Sequence, residues 1–597
     1  MKKSERIKYI EVFLIAFILH FFICIYFPLP SSGPDELGTM ASAAYFSGYD
    51  WSYLVSGHNT YYGFGSTWFL SFIFRIVNNP LTIYKCFQTV IAIYLTIPAV
   101  IAYDIFKRFY RIEGKYMCFF GAIACSFFSN VTSDIVINEA MFCLLLWLLM
   151  YAFIVLYEGK RKRLASFAIG FILAYSITVH TRALLYIGVY IICLIIYMLF
   201  IRQHHIDIVF SLLGFASILI FFMATRFIQN HIFSNTDVEV ISGSVESIGQ
   251  SYGNIHEMLM YYGVRKILKG IITVFCSNLF GLFVFSLGIL APIIIITFNE
   301  LRNICKKNIE IVTMPTIYCS IGLFGSLLAL SVLHVYHGAN LNEGGDLGDG
   351  RFFFYLRYYI NFLPPLMMSI IYYLNKKVIE IKKSFMQQAA IIVCILLMFS
   401  GFFVRVLYSM GNKAFDVSSL FSAYSFFVSN NGEFRVWRYF FAAAMCSFFV
   451  FCLQYVNAKT KLIREFIPLV ITIFFFYQQI FQAITFRYPI VENVYSCLNA
   501  AYEKIALNQQ IRNELETIYV SSEKTYRIEY QTQLLFYDVN VRPFSAYEGG
   551  DAVLIANEIM DLEGWYMARL DDNEFLYTNS YKYVDLIDDL GQGIQFE

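Results

Sequence analysis

Charge is scarce in this chain: Asp, Glu, Lys and Arg supply 15% of its 597 residues, against 58% hydrophobic. A polytopic membrane protein is the class that fits, because apolar runs of about 20 residues, each enough to span a bilayer, recur until about residue 486. No basic patch interleaved with aromatics is present, which excludes nucleic acid as a partner. The 13 cysteines form no Cys-x-x-Cys and no Cys/His spacing. Cys24, Cys143, Cys193 and Cys394 lie inside apolar runs and read as small buried hydrophobes, which excludes a disulfide frame or a zinc site. The basic N-terminus and its apolar run lack a clean small-residue cleavage site, so they are expected to be a retained first span.

Basic loops mark the cytoplasmic side of such a protein. Lys2, Lys3, Arg6 and Lys8 put the N-terminus inside, and the span 12–27 then delivers the segment 29–80 to the outer face. The next basic loop, 107–115, belongs inside, which allows only the run 81–106 to cross before it. The shorter run 64–77 is therefore expected to lie in the outer interface as a helix. Further spans are expected at 116–128, 141–157, 164–179, 183–201, 206–224, 271–298, 311–333, 358–374, 389–404, 439–455 and 466–486. This gives about thirteen in all, with every strongly basic loop on one side.

The predicted fold is thus an α-helical polytopic bundle over 1–487, with a large first outer loop at 29–80, and a small extracytoplasmic α/β domain over 488–597. In that tail a helix is expected at 508–515 and strands at 517–521, 533–537 and 552–555. No G-x-G-x-x-G and no P-loop occurs in it, and it reads as a lid or docking platform.

Ionisable groups at a membrane rim are costly and mark function. Pro34-Asp35-Glu36 places two adjacent acids in a proline- and glycine-fixed turn, where mutual repulsion holds one carboxylate ready for a proton or a cation. Asp134 and Glu139 lie in the second outer loop, and Glu139 also suits a helix N-terminus. His180 and Arg182 share a short outer turn, where a guanidinium suits a phosphate. Arg351, Arg357 and Tyr358 precede Pro364-Pro365, which implies unwound backbone lining a cavity. The acidic, glycine-rich loop 340–350 lacks the spacing of a calcium-binding EF-hand. His231 and His256 fall in a long outer stretch and read as solvated.

In order and sidedness these features resemble the GT-C superfamily of integral-membrane glycosyltransferases, whose members include protein mannosyltransferases and aminoarabinose transferases. Pro34-Asp35-Glu36 with 64–77 is similar to the family's acidic first loop and interfacial helices. Glu139 matches its second acid, 170–182 its glycine-rich span ending in a basic residue, and Arg357-Tyr358 with Pro364 its late Arg-Tyr element. No tryptophan-rich motif of the oligosaccharyltransferase kind is found, which argues against asparagine-linked transfer.

The resemblance implies a polyprenyl-phosphate-sugar donor, a glycan, lipid or protein acceptor, and inverting transfer at the outer face of a bacterial cytoplasmic membrane. It implies Asp35 as general base with Glu36 beside it, and donor-phosphate binding by Arg182, Arg357, Tyr358 and Arg351. It also implies support of the acceptor or a metal by Glu139, Asp134 and His180. Some relatives use Mg or Mn and others none, so a divalent cation on Asp35 and Glu139 stays open. A transporter or flippase and a polysaccharide polymerase or ligase are the competing readings.

Overall fold

The computed structural model describes residues 3–25, 34–57, 63–129, 131–201, 206–232, 245–342, 351–354, 356–376, 381–406, 436–459, 461–484, 515–521, 527–556, 558–571, 574–584 and 593–595. The chain enters through α1 (Lys3–Ile25), followed by the short helices α2 (Pro34–Ser47), α3 (Ser52–Gly57) and α4 (Ser71–Ile76). Next come α5 (Pro80–Asp104), α6 (Lys115–Phe127), α7 (Glu139–Glu158), α8 (Lys162–Val179), α9 (Ala183–Ile196) and α10 (Ile208–Ile232). The bundle continues with α11 (Val245–Phe285), α12 (Leu290–Cys305), α13 (Thr313–Leu333), α14 (Val335–Asn342), α15 (Arg351–Phe354), α16 (Leu363–Lys376) and α17 (Ile381–Phe399). Helices Val436–Lys459 and Lys461–Gln482 complete it.

Ten helices among the described residues are long and apolar enough to cross a bilayer, not thirteen. The difference has a physical origin. Expected spans 116–128 and 358–374 are the short helices α6, of 13 residues, and α16, of 14. Lys461–Gln482 is long enough but contains Arg464, Glu465, Pro468, Gln478 and Gln479. The apolar run expected as one span at 271–298 is two helices, α11 and α12, joined at 286–289. There Leu287 and Gly288 adopt positive φ, and a side chain on Gly288 would press against the Cys446 carbonyl oxygen. The Leu290 amide finds its acceptor in Ser286 Oγ at 3.1 Å, and both Ser286 and Leu287 are buried. Unwound backbone at such depth is stable only inside protein.

The segment expected as an interfacial helix is a 3-10 turn (Trp68–Leu70) running into α4. Leu70, Ile73 and Phe74 are buried while Trp68, Phe69, Phe72 and Ile76 are exposed, an amphipathic split suited to a bilayer surface. At the other end of the bundle the basic loops gather. Lys376 pairs with Glu310 at 2.7 Å, Arg163 with Asp207 at 3.6 Å, and the Tyr157 hydroxyl donates to the Ile309 carbonyl at 2.9 Å.

The C-terminal region carries a six-stranded sheet of β1 (Thr517–Ser521), β2 (Asn540–Pro543), β3 (Val553–Ala556), β4 (Tyr566–Asp571), β5 (Glu574–Thr578) and β6 (Gly593–Gln595). The strand order is β2-β1-β3-β5-β4-β6. Strand β1 runs parallel to β2 and β3, and the remaining pairs are antiparallel. The strand expected at 533–537 is instead the end of helix Arg527–Leu535, the crossover that a parallel β1/β2 pair requires. The helix expected at 508–515 lies outside the described residues except at its last position. This region seats on the first loop: Trp51 Nε1 donates to the Tyr537 carbonyl at 2.9 Å, and the Tyr537 hydroxyl donates to the Asn78 carbonyl at 3.3 Å.

Candidate active site

Four charged side chains meet at the end of the bundle opposite the basic loops. Asp35 stands in the first turn of α2, and Glu139 is the first residue of α7. Acids in both positions complement the partial positive charge of a helix N-terminus. Arg182 occupies the tight turn between α8 and α9, where the Ala183 amide donates to the His180 carbonyl at 3.0 Å. Arg357 sits in a 3-10 turn (Leu356–Tyr358) just before α16, whose Pro364 and Pro365 fall in the first helical turn. Two 3-10 turns, Leu356–Tyr358 and Ile360–Phe362, lead into the helix there, not the unwound backbone anticipated from those prolines.

Arg357 Nε donates to Glu139 Oε1 at 2.6 Å, and its Nη1 donates to Asp35 Oδ2. Arg182 Nη2 donates to the same Glu139 Oε1. One carboxylate oxygen therefore joins two guanidiniums, and one guanidinium joins two carboxylates. Glu139 is fully buried, the Arg357 side chain is 9% exposed, and those of Arg182 and Asp35 are 22% and 23% exposed. The cluster is thus sealed at Glu139 and open at Asp35 and Arg182. Its formal charges cancel, which is what permits so many ions to share a buried place.

Two groups orient Arg182. Its guanidinium carbon lies 4.6 Å from the centre of the Tyr358 ring, a cation–π contact. Its Nε lies 3.2 Å from His180 Nε2, and its backbone amide donates to His180 Nδ1 at 3.1 Å, so the ring is held from both of its nitrogens. Burial, and then the adjacent Arg182 charge, hold the His180 pKa well below the ordinary histidine value, so the ring is a neutral acceptor. The turn is clamped from above as well. The Gly65 amide donates to the Thr178 carbonyl at 2.8 Å, and side chains at Gly63 or Gly65 would collide with Thr178. These glycines, visible in the sequence only as part of an interfacial segment, dock that segment two residues before His180.

The remaining expected site residues lie elsewhere. Glu36 is fully buried, and its Oε1 accepts from the Tyr84 hydroxyl and from the Val136 amide at 3.1 Å. It braces the first loop against α5 and the second loop. Asp134 belongs to that brace: its main-chain carbonyl accepts from Gln88 Nε2 at 2.7 Å and lies 3.1 Å from the Tyr84 hydroxyl. Tyr84, one of three tyrosines in α5, gave no signal in the sequence. Arg351 opens α15, but its side chain, like those of His231 and His256 and the loop 343–350, is outside the described residues.

No group of three or more His, Cys, Asp or Glu side chains that could hold a metal converges among the described residues. Asp35 and Glu139, the pair considered for a divalent cation, are joined instead through the Arg357 guanidinium.

The described residues thus form a helical membrane bundle with an acid–arginine cluster at one end and a small terminal sheet region. No family model and no curated relative matches the chain. Among solved structures it is similar to ArnT from Cupriavidus metallidurans bound to undecaprenyl phosphate, with a TM-score of 0.50 and 12% identity over 97% of this chain and 99% of that one. It is similar also to the apo state of the same protein, with a TM-score of 0.50 and 11% identity over 96% and 98% of the two chains. Identity this low carries the fold and not the activity.

Proposed function

We propose that the chain is a glycosyltransferase that moves a sugar from a polyprenyl-phosphate-linked donor to an acceptor hydroxyl at the outer face of the membrane. The observation that carries this reading is the meeting of Asp35, Glu139, Arg182 and Arg357, the first and the last lying 322 positions apart in the chain. Two guanidiniums suit a phosphate, and a partly exposed carboxylate beside them suits a hydroxyl proton. The undecaprenyl phosphate in the similar ArnT structure makes that lipid phosphate the first donor carrier to try.

In this reading the acceptor oxygen attacks the anomeric carbon and forms the new glycosidic bond. The bond from that carbon to the phosphate oxygen breaks, its electron pair leaves with the polyprenyl phosphate, and the configuration inverts. Asp35 takes the hydroxyl proton, while Arg182 and Arg357 meet the charge growing on the leaving phosphate. At rest Asp35 is engaged by Arg357. A donor phosphate competes for that guanidinium and so frees Asp35 when substrate is bound. Glu139, sealed beneath both arginines, serves as their anchor. Glu36, with Tyr84 and Asp134, acts as a brace and stands outside the chemistry.

The test is transfer by the full-length protein in liposomes supplied with polyprenyl-phosphate sugars. Asp35→Asn is expected to lower the rate about 10²–10⁴-fold, the usual contribution of a general base, with expression and insertion unchanged. Transfer at the parent rate would remove Asp35 from the mechanism. Movement of the lipid across the bilayer without covalent product would replace the enzyme by a flippase.

A further inference from the structure

We infer that the basic end of the bundle carries a binding groove for an anionic glycerophospholipid, separate from the acid–arginine cluster. A cavity of about 450 Å3 opens between the end of α5 and the antiparallel pair α7 and α8, a volume in the range of small-molecule sites. Leu148, Ala152, Val155, Leu164, Ala168 and Ile172 form its wall. Leu148 lies ten residues above Glu158 on α7, and Ile172 eight residues beyond Leu164 on α8. At 1.5 Å per residue the groove runs about 12–15 Å inward, the depth of one leaflet of a ~30 Å hydrocarbon core. Alanines at 152, 165 and 168 create the space, since larger side chains there would close it.

The mouth is cationic: Arg108, Lys160 and Arg161 face a single lining carboxylate, Glu158. Arg108 is held in place through Nη1, which donates to Asp104 Oδ2 at 3.0 Å and lies 3.4 Å from the Tyr151 hydroxyl. Asp104 is itself fixed by the hydroxyls of Tyr9, at 2.6 Å, and Tyr151, at 2.9 Å. Among the described residues Arg108 Nε and Nη2 have no partner, so the guanidinium presents donors from a fixed position. Lys160 is tied to Glu158 at 2.7 Å, while Arg161 makes no ion pair among the described residues. A basic mouth over an apolar slot one leaflet deep matches a phosphodiester headgroup with acyl chains. A soluble phosphate would leave the slot unfilled.

Native mass spectrometry of the full-length protein in detergent tests this with phosphatidylglycerol and phosphatidylcholine of identical acyl chains. Phosphatidylglycerol is expected to be retained about 30-fold better, the effect of two basic side chains facing an anionic headgroup. R108Q/R161Q should abolish that preference. A168F, which fills the groove and leaves the charges, should reduce retention of both lipids with the thermal midpoint kept. Equal retention of the two lipids, or retention untouched by A168F, overturns the proposal. So does displacement by glycerol phosphate at equal concentration, which would reduce the site to a headgroup contact. Preferential retention of undecaprenyl phosphate would overturn it too, by assigning the groove to a different lipid.

Discussion

The two ends of the bundle use the same residue types to opposite effect. At the cluster end, Asp35, Glu139, Arg182 and Arg357 come from four separate elements, and none of their side chains is more than 23% exposed. At the basic end, the Arg108, Lys160 and Arg163 side chains are 59%, 76% and 76% exposed and pair with acids close by in sequence or on the adjoining helix. Water screens the second group, and each such pair is worth about 0–1 kcal/mol. The first group has surrendered its water, so its members depend on one another, and breaking one such pair costs about 3–5 kcal/mol. Charge alone does not separate a buried ion cluster from an exposed basic mouth. Burial together with pairing across separate elements does.

The sharpest way to break this contrast is Glu139→Gln. It removes the one charge that both guanidiniums share and leaves two cations facing each other. The expected loss is about 3–5 kcal/mol of stability, with transfer lost as well. Chemical denaturation in detergent and the liposome assay measure the two effects. An unaltered midpoint would mean that the arginines are held by something else. Arg182→Lys is milder, because it keeps the charge and deletes the planar fork that reaches Glu139 and His180 together. A fall of about 10²-fold in transfer is expected, the usual consequence of losing one aligned donor, with stability nearly kept. A rate within about three-fold of the parent would show that fork geometry is irrelevant.

His180 sharpens the contrast through pH. Its folded pKa is depressed by burial and then by the Arg182 charge, so the native state favours the neutral ring. The stability that this neutral ring contributes is complete above the unfolded value near 6.5 and is lost as pH falls toward the folded pKa, at no more than about 1.4 kcal/mol per pH unit. The thermal midpoint of the parent is therefore expected to fall between about pH 6.5 and 5.5 more steeply than that of His180→Gln. Parallel slopes would exclude His180 as a source of acid sensitivity.

Much of this is legible in the residues alone. The parity of basic loops places Asp35, Glu139, Arg182 and Arg357 on one side, because sidedness is carried by residue type and position. Which carboxylate meets which arginine is not legible, since that depends on contacts between turns up to 322 residues apart. Adjacent Asp35 and Glu36 look equivalent, yet neighbouring positions on a helix point in different directions, and one is buried in the brace. The break at 286–289 is hidden because hydropathy runs through it unchanged, with Gly288 the one local sign. Residues 533–537 read as a strand because a short, wholly buried segment has no period to distinguish it from helix.

The smallest expected effect tests the solvated end by dividing one of its pairs. Arg163 lies 3.6 Å from Asp207, and Asp207 also caps the start of α10, its Oδ1 accepting from the Phe210 amide at 3.3 Å. Arg163→Ala removes a screened ion pair and a cation–π contact with Phe210, 5.5 Å away, so a loss below about 1 kcal/mol is expected. Asp207→Ala removes the same pair and also leaves a helix-terminal amide without its cap, which adds about 1 kcal/mol. The carboxylate should therefore matter more than the cation, although the two share one salt bridge. Thermal midpoints of the two variants decide it: equal losses would mean that the ion pair, not the cap, holds this corner together.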